Sequence, residues 1–198
     1  MPKTSAHSSP NRQRHRLFAV LSLLIGGAVS LLTWQRHERS TLAEREKRYA
    51  PLVQAAAAKY GLPPSLVMAV IWKESRFRPQ AVGHKKEIGL MQLMDGAVQD
   101  WIRDQRPATP PSRRQLFKPE LNIEIGTWYL AQAASHWEGY ASQEVLMLAE
   151  YNAGYSRVVK NWKPANKNDK LSPEQVSFPG TRDYIMQILQ KRNEYDSP

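Results

Sequence analysis

Between Tyr49 and Tyr195 the apolar residues recur at helical spacing, no stretch alternates long enough for a confident strand, and glycine or proline ends nearly every run. This pattern commits the chain to an all-α body, since helices with one apolar stripe can bury it only against each other. YAPLVQAAAAKYG gives a first helix stopped by Gly61; Pro63-Pro64 opens a second, which Pro79 ends. GLMQLMDGAVQDWI suits a helix, or one with a broken first turn. ELNIEIGTWYLAQAASHW is stopped by Gly139, and QEVLMLAEYNAG, with Ser142 placed to cap it, ends at Gly154. TRDYIMQILQKRNEY closes the body, and the polar, proline-bearing segments 103–119 and 163–179 read as surface loops.

The 198 residues suffice for one such domain plus sequence outside it. Residues 17–34 carry no charge and as a helix would reach about 27 Å, close to the thickness of a bilayer's hydrocarbon core. With Lys3, Arg12, Arg14 and Arg16 before it, this run is expected to be a transmembrane signal-anchor, with a cleaved signal peptide as the competing reading. The expected order is a basic cytoplasmic head (1–16), the anchor (17–34), a charged stalk (35–48) and the folded domain (49–198). The basic flank places the body across an inner membrane, in a periplasm, although Arg36, Arg39, Arg45, Lys47 and Arg48 beyond the run weaken that orientation.

A net charge of +10 favours an acidic partner. Nucleic acid is set aside, because no basic reading helix, base-reading module or stacked aromatic platform is present. The absence of cysteine excludes disulfides, a thiol nucleophile and thiolate metal sites. The five histidines are scattered, with no ordered ligand spacing, so no metal and no cofactor is expected.

One acid stands apart. In IWKESRF, Glu74 falls in line with Val67, Val70 and Ile71 on the face the second helix buries. Burial disfavours the charged form and raises the pKa, the condition a general acid needs. An ordinary alternative is an ion pair with Arg78 at i+4. Two further clusters exceed what helix packing requires: Gly89-Leu90-Met91-Gln92-Leu93-Met94, suited to lining a groove, and Glu150-Tyr151-Asn152-Ala153-Gly154, which sets a phenol and an amide at a helix end.

Together these clusters resemble the catalytic domain of the soluble-type lytic transglycosylases, glycoside hydrolase family 23, relatives of goose-type lysozyme. The resemblance rests on Glu74-Ser75, then Gly89 to Gln92, then Tyr151 to Gly154, then the Thr-Arg-x-Tyr of Thr181 to Tyr184, in that order. It implies a lysozyme-like helical domain with a groove, acting on the glycan strands of peptidoglycan. The implied reaction cuts the β-1,4 bond between N-acetylmuramic acid and N-acetylglucosamine without water, leaving a 1,6-anhydro end. In that reading Glu74 is the catalytic acid and then base. Ser75, Gln92, Tyr151, Asn152 and Tyr184 hold it and the sugar, and Met91 contributes a groove wall. The sequence departs from the common pattern at Lys86-Glu87-Ile88, where small residues are usual, and at Asp95, where proline is common. Glu87 keeps open a hydrolytic, muramidase-type reading, and a catalytically idle glycan-binding scaffold is the other rival. Protein partners are left unknown.

Overall fold

The computed structural model describes residues 41–197, together with Gly27 and Leu32. The chain divides into two units, Met1–Glu44 and Arg45–Pro198, and apart from residues 41–44 of the first helix the elements that follow lie in the second. The expected anchor lies outside the described residues except at Gly27 and Leu32, and among the described residues no helix is long and apolar enough to cross a membrane.

Helix α1 (residues 41–60) ends at Gly61, whose φ of +68° is one that glycine adopts without steric cost. It is followed by α2 (Pro64–Ser75), α3 (Asp95–Gln105), α4 (Pro119–His136), α5 (Gln143–Ala153), α6 (Tyr155–Asn161) and α7 (Pro179–Asp196). Proline stands in the first turn of α2, α4 and α7, where its missing N–H has no intrahelical partner to lose. For α7 this moves the start to Pro179, two residues ahead of Thr181. Single 3₁₀ turns, Gln115–Phe117 and Pro173–Gln175, interrupt the two expected loops.

The body is all-helical as expected, with only the isolated β-bridges Val82 to Ile88 and Ile88 to Leu93 among the described residues. α2 lies along α7, α4 against α5, and α5 also against α7. Five consecutive residues of α5, Leu146 to Glu150, are buried. A helix apolar on one side cannot bury five in a row, so α5 is the one the others surround.

Residues 45–48, expected in the stalk, belong to this body: Glu46 accepts a hydrogen bond from the Tyr195 hydroxyl (2.5 Å), and Tyr49 stacks on Phe77 with centroids 6.5 Å apart. Two local expectations are corrected. The block 89–94 is a bridged turn, and helix begins only at Asp95, because Gly89 (φ +76°) and Gln92 (φ +48°) leave the right-handed region. Ser142 does not cap α5. Its φ and ψ of −115° and 31° lie off the extended geometry a cap requires, and its Oγ accepts the Leu171 N–H (2.6 Å), tying segment 163–179 to the start of α5.

Candidate active site

The site is built where α2 stops. Val67, Val70 and Ile71 are wholly buried, and Glu74, on the same face in the last turn, is half-buried. Immediately beyond it the chain turns through two left-handed residues, Arg76 (φ 53°) and Phe77 (φ 56°). Neither is glycine, so each costs about 1 kcal/mol or more. Phe77 is 0% exposed, and burying a phenylalanine side chain is worth about 1.5–3 kcal/mol, which offsets a large part of that cost.

Glu74 Oε1 accepts the Tyr184 hydroxyl of α7 at 2.7 Å. Burial pushes the carboxyl up to about 7 from 4.5. The Tyr184 hydrogen bond and the Lys73 charge oppose that rise, and the nearby charge of Glu87 adds to it. The ion pair with Arg78 does not form: Arg78 Nε donates to the Ser75 carbonyl instead (3.1 Å). Ser75 is buried and its Oγ donates to the Leu90 carbonyl (2.8 Å), so the residue after Glu74 fastens α2 to the next loop.

That loop, residues 81–94, is held by paired Ile88 and Leu93 backbone bonds (3.0 and 2.9 Å) and by Gly89 N–H to the Ala81 carbonyl (2.9 Å). Its foundation is Asn122 of α4, fully buried, whose Nδ2 donates to Ile88 and Leu116 carbonyls (2.9 and 2.8 Å) while Oδ1 accepts the Met91 N–H (2.8 Å). A Cβ at Gly89 would sit 2.4 Å from Asn122 Nδ2, so space as well as φ demands glycine there. Met91 is wholly buried, with its Sδ against Gly126 and Thr127. Gln92 Nε2 donates to the Gly89 carbonyl (2.8 Å), which presents the amide at the surface of the groove.

From α5, Tyr151 donates its hydroxyl to the Met91 carbonyl (2.9 Å) and meets Tyr129 edge-on at 5.7 Å. Burial, with the Glu74 charge nearby, pushes the Tyr151 and Tyr184 phenols well above their usual range, so both act as neutral donors. Asn152 Oδ1 accepts the Thr181 hydroxyl (2.8 Å) across to α7. One residue before Tyr151, buried Glu150 is met by His136 Nδ1 (2.8 Å) and Trp137 Nε1 (2.7 Å), which fix α5 to the end of α4. Burial raises the Glu150 pKa against the pull of those two bonds.

Two cavities meet at Gln92. One, of about 610 Å³, is bordered by Glu74, Arg78 and Gln80; the other, of about 270 Å³, by Tyr129, Tyr151 and Asn152. Glu74, Gln92, Tyr151 and Asn152 are thus brought to one groove with Tyr184 behind Glu74; Ser75, though buried, also borders the Glu74 cavity, whereas Met91 is buried in the supports. Asn122 was missed by sequence reasoning; the signal was an amide inside the buried run Asn122, Ile123, Ile125, Gly126. Among the described residues no three His, Asp or Glu side chains converge as metal ligands would.

A buried carboxyl with a raised pKa, bordering a groove in a lysozyme-like helical body, points to a class, and the sequence agrees. The chain belongs to the Transglycosylase SLT domain family, whose profile matches residues 51–173. It is similar to membrane-bound lytic murein transglycosylase C of Salmonella typhimurium and of Histophilus somni, each 34% identical over 145 residues, 68% of this chain and 40% of the relative. The chain therefore spans about two fifths of the length of these curated relatives. Among solved structures it is similar to the 70 kDa soluble lytic transglycosylase of Escherichia coli, at 29% identity and a TM-score of 0.67, covering 74% of this chain and 24% of that one. A complex of the 70 kDa soluble lytic transglycosylase with bulgecin A gives 27% identity and a TM-score of 0.64, covering 75% of this chain and 24% of that one.

Proposed function

We propose that this protein is a peptidoglycan lytic transglycosylase that cleaves the β-1,4 bond between N-acetylmuramic acid and N-acetylglucosamine and leaves a 1,6-anhydro-muramyl end. The observation that carries the reading is Glu74, a carboxyl raised to about 7 by burial, bordering a cavity of about 610 Å³. Such a group is protonated in a large fraction of molecules at neutral pH and gives its proton up at little cost.

In this reaction Glu74 first protonates the glycosidic oxygen as it leaves. The resulting carboxylate then takes the proton from the muramyl C6 hydroxyl while that oxygen bonds to C1, so one group performs both transfers and no water is consumed. Tyr184 steadies the carboxyl in both states, because a neutral hydroxyl donates to a carboxylate as readily as to a carbonyl oxygen. Gln92 and Asn152 face the sugars, and Ser75, Met91 and Tyr151 hold the loop that presents Gln92. Most glycosidases use a second carboxylate to activate water or attack carbon. Glu87 is the nearest candidate, but its Oε2 accepts the Lys85 N–H (2.7 Å), which favours the water-free course. The relatives' designation as membrane-bound, with the uncharged run 17–34, supports an anchor in the inner membrane and a catalytic body in the periplasm.

Purified peptidoglycan incubated with the protein and analysed by mass spectrometry tests the reading. Anhydro-muropeptides are expected, and Glu74→Gln abolishes them. Products heavier by one water would establish hydrolysis, and no products at all would leave a glycan-binding scaffold.

A further inference from the structure

The segment between α3 and α4 is pinned against the active-site loop. The backbone N–H and the hydroxyl of Ser112 both lie 2.8 Å from Gln115 Oε1, and the Leu116 carbonyl receives Asn122 Nδ2. Arg113 Nη2 donates to the Lys86 carbonyl (3.1 Å), and its Nη1 lies 3.9 Å from Asp95. Pinned in this way, the segment borders a third cavity, of about 670 Å³, with Arg114, Phe117 and Lys118 on its wall. Gln80 borders both this cavity and the one that holds Glu74, so the groove continues from the carboxyl past Gln80.

The charges along this extension have one sign. No carboxylate lines the third cavity, and none among the described residues pairs with Arg114 or Lys118, both exposed. Arg78 adds a third cation on the Glu74 side. N-acetylated hexosamines are uncharged and give two adjacent cations nothing to pair with. A peptide linked through the lactyl group of muramic acid carries free carboxylates, and it branches from the strand rather than following it.

We propose that the cavity between segment 106–119 and Gln80 is a subsite for carboxylates of a peptide branching from the glycan, with Arg114 and Lys118 as the groups that bind them. This rests on the glycan reading of the Glu74 cavity and assigns the third cavity a separate role within it.

The test measures binding of the full-length Glu74→Gln chain to insoluble peptidoglycan, either intact or with its peptide carboxylates amidated by carbodiimide and methylamine, with and without Arg114→Ala and Lys118→Ala together. Exposed charge pairs are individually weak, so the double change should weaken binding to intact polymer by about threefold to tenfold. The loss should shrink below about twofold on the amidated polymer. It should also fade near 1 M salt, where the screening length falls to about 3 Å. Equal loss on both polymers, or no loss on either, would overturn the subsite. Turnover by the unmutated chain is read separately on the same two polymers: carboxylate-dependent binding without cleavage would refute the transglycosylase reading and leave the subsite standing.

Discussion

Replacing Glu74 by Gln should stabilise this protein at neutral pH while abolishing its turnover. In the folded chain the carboxyl keeps its proton to about 7, whereas unfolded it releases it near 4.5. Between those values the native state binds more protons than the unfolded one, so wild-type stability falls as pH rises, by about 1.4 kcal/mol per pH unit. Below 4.5 this group costs nothing; above about 7 the full penalty, about 3 kcal/mol, is present. Glutamine has nearly the same shape, its amide oxygen still accepts the Tyr184 hydroxyl, and it never ionises. Urea unfolding followed by the fluorescence of the six tryptophans, from pH 4 to pH 8, gives the difference between variant and wild type. Other titrations largely cancel in that difference. The variant should gain nothing further below pH 4.5 and about 3 kcal/mol by pH 8. A flat difference, or a variant that loses ground as pH rises, would mean that Glu74 is an ordinary ionised carboxylate with no proton to give at neutral pH.

Two changes should move the pH at which Glu74 titrates in opposite directions. Tyr184→Phe removes the hydrogen bond that favours the carboxylate, so the basic limb of the kcat/KM profile should shift to higher pH, with a loss of about 1 kcal/mol in stability. Glu87→Gln removes a like charge and should shift that limb to lower pH; an unmoved limb in both variants would place the titrating group elsewhere. Asn122→Ala strands the buried Met91 N–H and the Leu116 carbonyl, while the Ile88 carbonyl keeps the Leu93 N–H, and should cost about 2 kcal/mol or more in urea unfolding. A cost under about 1 kcal/mol would show that the loop finds other partners.

The helices were legible because their limits rest on local chemistry. Proline at 64 and glycine at 61 and 154 act within one turn of themselves, and the structure places helix ends beside each, whereas Pro119 and Pro179, read as the ends of loops, open α4 and α7. The acidic position in the apolar stripe of α2 was legible for the same reason, being a matter of spacing along one helix. The loop 81–94 was not, because its shape depends on left-handed Lys86 and Gln92, residues without the intrinsic preference for that region that would announce it. Those conformations persist because Asn122, Ser75 and Tyr151 each grip the loop from a different helix. Tyr184 lies 110 residues from Glu74, and no periodicity predicts a contact across that distance; the family motif pointed to it instead. Ser142 shows the converse failure, since a residue with the chemistry of a cap was taken by a partner from segment 163–179.

The difference between a structural ion pair and an acid here comes down to where two neighbouring cations point. Lys73 and Arg78 flank Glu74 in sequence, and either could neutralise it at ordinary side-chain reach. Instead Lys73 Nζ donates to Gln187 Oε1 (2.9 Å) and Arg78 Nε to the Ser75 carbonyl (3.1 Å). The hydrogen-bond partner the carboxyl keeps is a phenol that stays neutral because it too is buried. A cation at 2.7 Å would favour the carboxylate strongly enough to draw its pKa below the unperturbed value, and no proton would remain at neutral pH. A neutral donor orients the group while leaving burial as the larger influence on its titration. The titration of Glu74 is therefore set in part by two cations that do not bond to the carboxyl: Lys73 favours the carboxylate only through space, and Arg78 is engaged elsewhere.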